Sequence, residues 1–193
     1  MAFNNGFTAV TGATYTAAQY NTYVRDNFTA IWVGTTAGDM DYYTSATAKT
    51  RVAIGANGSY LESSGSAPSW TKFYRPITFL LNLSVPLVVG DDAYHWRVPF
   101  VISNWNLYSV AAARAGGTGV LTLQVRNITA GVDMLSTRVT VDSGETDSST
   151  AATPAVINTA NDDVQTGELL AIDVDVPGTN TIYAQIELVF AKP

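Results

Sequence analysis

Two stretches of this chain alternate apolar and polar residues with a period of two: Val120-Leu121-Thr122-Leu123-Gln124-Val125-Arg126 and Thr181-Ile182-Tyr183-Ala184-Gln185-Ile186-Glu187-Leu188-Val189-Phe190. Successive side chains of an extended backbone point to opposite faces, so each stretch has one apolar and one mixed face and needs a second layer to cover the first. The pattern recurs from Pro76 onward and predicts strands at roughly 76–83, 86–90, 96–103, 106–113, 119–127, 132–142, 154–158, 168–176 and 181–191. Turn chemistry separates them at Gly90-Asp91-Asp92, Ala115-Gly116-Gly117-Thr118-Gly119, Ala130-Gly131 and Pro177-Gly178-Thr179-Asn180. Eight or nine strands in about 118 residues, with longer loops at 143–153 and 159–167, predict a jelly-roll-like β-sandwich over residues 76–193.

The preceding residues read differently. Thr16 and Gln19 have the spacing of a capping box, and Tyr20, Val24, Phe28 and Ile31 then fall at i, i+4, i+8 and i+11 on one narrow apolar stripe. Gly34 is placed to stop the helix in a left-handed conformation, which gives about seventeen helical residues. The opposite face is Asn, Thr, Arg and Asp, so the stripe packs either on its own domain or in a seam between copies; its four residues are the candidate helix-packing or oligomer interface. Residues 38–75 consist of short pieces broken at Gly38-Asp39, Gly55, Asn57-Gly58, Gly65 and Ala67-Pro68-Ser69-Trp70. So little continuous apolar sequence does not offset the entropy of ordering the chain, and this linker is either flexible or packed against partner chains. The expected organisation is a mainly β protein: an N-terminal anchoring segment with an amphipathic helix (1–37), an extended linker (38–75) and the sandwich (76–193).

Composition removes several kinds of chemistry. The 193 residues contain no cysteine and one histidine, His95, which excludes a disulfide framework, a thiolate nucleophile, a Cys-based metal centre and any two-histidine metal signature. No Gly-x-Ser-x-Gly elbow accompanies His95, so no catalytic residue is assigned, and no cofactor or metal is expected. Only 13% of residues are charged and the net charge is -6, which argues against nucleic acid or an anionic membrane as the partner. The charge is uneven. Residues 1–75 carry five basic and four acidic side chains, and the remainder five basic and twelve acidic. The first 24 residues contain no Lys, Arg or continuous apolar block, so no secretory signal is expected. The most apolar stretch, 77–89, is interrupted by Asn82, Ser84 and Pro86 and falls short of the roughly 20 residues of a membrane span.

Two acidic pairs, Asp162-Asp163 and Asp173 with Asp175, are the nearest approach to a calcium site, but neither matches a calcium loop and they read better as solvated acids. Trp96, Trp105 and Tyr108 lie close in sequence and are candidates either for a sugar-stacking platform or for a core or subunit interface.

A resemblance joins these observations. Tyr20-Asn21-Thr22-Tyr23-Val24-Arg25-Asp26-Asn27, then Gly38-Asp39 with Tyr42, Arg51-Val52-Ala53-Ile54-Gly55 with Gly58, and Gly65 with Pro68-Ser69-Trp70 resemble the linker of many tailed-bacteriophage fibre and minor structural proteins. The stretch from Gln124 through Thr137, with Ala151-Ala152-Thr153-Pro154 and Asn161-Asp162-Asp163-Val164 to Asp175, is similar to β domains at the ends of such proteins. Residues 71–119 carry less of the likeness. The resemblance implies a non-enzymatic virion structural protein, a homotrimeric head fibre, decoration protein or short tail fibre displayed on the virion surface. Its N-terminal segment would contact capsid or tail proteins. The alternative is a tail-fibre module that binds a host receptor or surface glycan.

Overall fold

The computed structural model describes residues 11–12, 14, 16–31, 33–46, 48–81, 85–99 and 104–192. Strand makes up 54% and helix 9%, so the protein is mainly β. Contacts divide the chain into two units, Met1–Lys72 and Phe73–Pro193.

In the first unit the capping box forms: the Gln19 N–H donates to the Thr16 hydroxyl at 3.2 Å, and the Thr16 N–H to Gln19 Oε1 at 3.0 Å. The helix runs as α1 (Ala17–Tyr20), a π-helical turn (Asn21–Arg25) and α2 (Asp26–Ile31). Gly34 does not take the left-handed conformation expected of it; Gly38 does, with φ 91°. A Cβ at Gly38 would stand 2.5 Å from Ile54 Cδ1, so contact with a residue distant in sequence places the left-handed turn. The expected extended linker is two antiparallel hairpins, β1 (Met40–Ser45) with β2 (Ala48–Val52), and β3 (Ser59–Ser63) with β4 (Pro68–Lys72). Pairing satisfies the backbone groups of these short polar strands, although their side chains build almost no core. Among the described residues of this unit Val52 is the one buried apolar side chain.

The second unit contains β5 (Tyr74–Leu81), β6 (Gly90–Arg97), β7 (Trp105–Ala115), β8 (Thr118–Asn127), β9 (Val132–Asp133), β10 (Leu135–Thr137), β11 (Val139–Val141), β12 (Val156–Ile157), β13 (Asp163–Val164), β14 (Leu169–Thr179) and β15 (Tyr183–Ala191). One sheet has the order β13-β7-β15-β5 and the other β11-β8-β14-β6, with β9 on the edge of β8. Numbering only these eight sheet strands in chain order, the sheets read 6-3-8-1 and 5-4-7-2, the two interlocked Greek keys of a jelly roll. The small pair β10-β12 stands apart from both.

The alternation seen in sequence builds the interior. Leu121, Leu123 and Val125 of β8, with Leu170, Ile172 and Val174 of β14, face Ala184, Ile186, Leu188 and Phe190 of β15, all buried. Strand boundaries differ from expectation around Gly90. In place of a break between the segments expected at 86–90 and 96–103, the single strand β6 runs from Gly90 to Arg97, because Gly90-Asp91-Asp92 forms a bulge rather than a turn. Asp92 takes φ 53°, and the pairing slips between Ile172↔Tyr94 and Val174↔Gly90. Pro177 and Gly178 likewise lie within β14 at a register shift, not in the hairpin loop. Residues 82–84 and 100–103 of the expected strands lie outside the described residues. The 143–153 loop seals the edge of β7: Arg114 N–H donates to Thr146 O, and Ala112 N–H to the Ser148 hydroxyl.

Candidate functional site

The motifs of the first unit converge on Asp39. Its carboxylate, 2% exposed, accepts the Thr35 and Thr36 N–H groups at 2.9 and 2.8 Å, the Ile54 N–H at 3.2 Å and Arg51 Nη1 at 3.3 Å. The amides of Thr35, Thr36 and Ile54, with the Arg51 charge, favour the ionised form and hold the carboxyl below its ordinary range against an opposing contribution from burial. The 51–55 segment is gripped from its other side by Trp70, whose indole N–H donates to Ala53 O at 2.6 Å. The ring lies over Gly55, where a Cβ would stand 2.3 Å from Trp70 Cδ2. Gly38, Asp39, Arg51, Ile54, Gly55 and Trp70 are therefore one clasp that ties both hairpins together.

The helix on this unit turns part of its polar face inward. Asn27 is buried, its amide donating to Tyr23 O at 2.9 Å. The apolar stripe is left outside: Tyr20 is 55%, Phe28 64% and Ile31 43% exposed, and Val24 is half-buried. Water ordinarily meets the polar face of an amphipathic helix, so among the described residues of this unit the apolar face is without cover.

In the sandwich the three candidate aromatics are separate. Trp96 points inward, edge-on to Phe79 at 6.0 Å and stacked on Phe190 at 6.3 Å, bridging the sheets. Trp105 closes one end of the core beside Phe73, with Arg75 lying over both rings. Tyr108 alone is on the outside, 55% exposed, its ring 4.9 Å from Tyr74. The neighbouring Tyr108 phenol, with a smaller contribution from burial, raises the pKa of Tyr74. His95 is exposed on β6.

The acids are not the solvated groups expected from sequence. Asp173 is buried and clamped by Arg126, whose Nε lies 2.9 Å away; Arg126 also reaches Asp92, whose own N–H donates to Asp173 Oδ1. Asp173 holds the Arg126 guanidinium above its usual pKa. Asp175 pairs with Arg138, and the buried Asp162 accepts from Asn106 at 2.9 Å. Only Asp163 of the two pairs is exposed. The β-bulges bring Asp92 and Arg126 to a strand acid, which no local spacing announces. Among the described residues no group of three His, Cys, Asp or Glu side chains is placed to hold a metal ion, and no helix is long and apolar enough to cross a membrane.

Compared with known proteins, the chain matches no family model, and no curated sequence matches it significantly.

Proposed function

We propose that this chain is a non-enzymatic structural protein of a tailed-bacteriophage virion, a homotrimeric fibre or decoration protein on the capsid or tail surface. The first unit is the self-associating and particle-anchoring part, and the jelly roll is displayed outward. The observation that carries the reading is the uncovered stripe Tyr20, Phe28 and Ile31 on a unit that buries a single apolar side chain among its described residues. Ordering such a unit costs about 1–2 kcal/mol per residue, which its own core does not offset and identical faces of neighbouring copies do. The linker motifs named above supply the virion assignment, and jelly rolls recur in viral capsid proteins, a fold-level analogy. Sedimentation equilibrium tests the assembly, with an expected mass near three times 20.5 kDa; a stable monomer at micromolar concentration overturns it. Immunogold labelling of intact particles tests the location.

A further inference from the structure

The outward face of the β7-β15-β5 sheet carries features that the core does not use. Its cross-strand rows are Thr78–Glu187–Ala111, Pro76–Val189–Ser109 and Tyr74–Ala191–Asn106, the last continued by Asp163 on β13. At one end of these rows a groove of about 420 Å³ runs along β7, with a floor of Ala111 and Ala113, a wall at Pro154, and polar groups that include Asp147, Ser149, Gln185 and Glu187. Four residues further along β15 the Tyr74 and Tyr108 rings stand paired and exposed, with Asn106 beside them. The Asn106 amide donates to Asp162 Oδ1 at 2.9 Å and Asp163 Oδ1 at 3.3 Å, which fixes its orientation and holds the Asp163 carboxylate at the β13 end of the same cross-strand row. Groove and ring pair are roughly 13 Å apart at the strand rise, a span for several linked rings rather than one.

We propose that this face binds a neutral oligosaccharide. One sugar ring stacks on Tyr74 and Tyr108, and the following units lie in the alanine-floored groove, their hydroxyls donating to the carboxylates of Asp163 and Glu187. Small side chains allow the close approach, tyrosines supply the apolar platform, and the two exposed carboxylates, which make no ion pair among the described residues, supply acceptors for sugar hydroxyls. Self-association through this face would bury both carboxylates, and protein interfaces are depleted in such groups. The site does not depend on the virion assignment, and it differs from a Trp96–Trp105–Tyr108 platform, whose members point different ways.

The experiment is a titration of the ¹⁵N-labelled full chain with a panel of neutral oligosaccharides built from glucose, galactose, mannose and N-acetylglucosamine, followed by amide shifts. The expected result is that at least one member moves amides of 106–113 and 187–191 with little dependence on salt. Tyr108→Ala should weaken that binding about tenfold. Glu187→Gln, a change at an exposed position, gives an independent reading that needs no repacking, and is expected to weaken binding while the melting temperature stays unchanged. Three results overturn the proposal: no panel member moves these amides, the shifts survive both substitutions, or hydrogen-exchange protection of the face rises with protein concentration because a second copy covers it. A monomeric mass that leaves sugar binding intact would overturn the trimer alone.

Discussion

Phe28→Asp is the sharpest probe of the assembly. Phe28 is 64% exposed, and a phenylalanine side chain offers about 200 Å² of surface, so the uncovered part is about 130 Å². At about 25 cal/mol per Å² its burial against neighbouring copies stabilises the assembly by about 3 kcal/mol per chain. Three chains together contribute about 10 kcal/mol, roughly seven orders of magnitude in a trimer association constant, before the added cost of three clustered carboxylates. The variant is therefore expected to sediment as a monomer at concentrations where the wild type gives a mass near three times 20.5 kDa. Its second unit should melt unchanged, because the core residues of the sandwich all come from 77–190. A variant that remains trimeric refutes the seam. A variant of unchanged mass whose first unit loses its circular dichroism places the stripe inside its own unit instead.

Four further outcomes are expected. Trp96→Ala removes the ring between Phe79 and Phe190 and should lower the sandwich's unfolding free energy by about 3–5 kcal/mol in urea titration, and a loss below 1 kcal/mol would contradict its placement as a bridge between the sheets. Gly55→Ala forces the Trp70 ring off Ala53 and should cost about 1–3 kcal/mol in the first unit, seen as a red-shifted Trp70 emission in a variant series lacking the other tryptophans; an unchanged spectrum would dissolve the clasp. Asp39 has a folded pKa below its ordinary 3.8, so its contribution is fully present above that value and is lost as pH falls through the lower folded value; Asp39→Asn should remove this acid-side transition, and a hairpin signal with the same acid profile in both proteins would show that Asp39 is not its origin. Deleting residues 1–35 should leave a folded sandwich that no longer joins particles, and decoration of particles by the truncated protein would move the anchor elsewhere.

The strands with strict alternation were legible because burial on one face imposes a period of two: Leu121, Leu123 and Val125, and Ala184, Ile186, Leu188 and Phe190, are buried where the pattern puts them. The capping box was legible because Thr16 and Gln19 satisfy each other within one turn. At Gly90-Asp91-Asp92 the same glycine and aspartate chemistry serves a turn and a bulge equally, and only pairing with β14 distinguishes them. The clasp residues were visible as a motif, but not as contacts, since Asp39 meets Ile54 and Ala53 meets Trp70 across 15 and 17 positions.

The mainly β character, the sandwich of the second part, the capped helix that opens the first and the exclusion of cysteine and two-histidine chemistry can all be read along the chain. Those properties follow from local period, local hydrogen bonding and composition. The tertiary structure decided which way the helix stripe faces, that Asp173 is paired with Arg126, that Trp96 is interior, and that Tyr108 meets Tyr74 on the outside. Each of those depends on which strands become neighbours, and neighbours 34 to 81 residues apart, such as Tyr74 with Tyr108 or Asp92 with Asp173, are chosen by the packing of the whole jelly roll and leave no local trace in the chain.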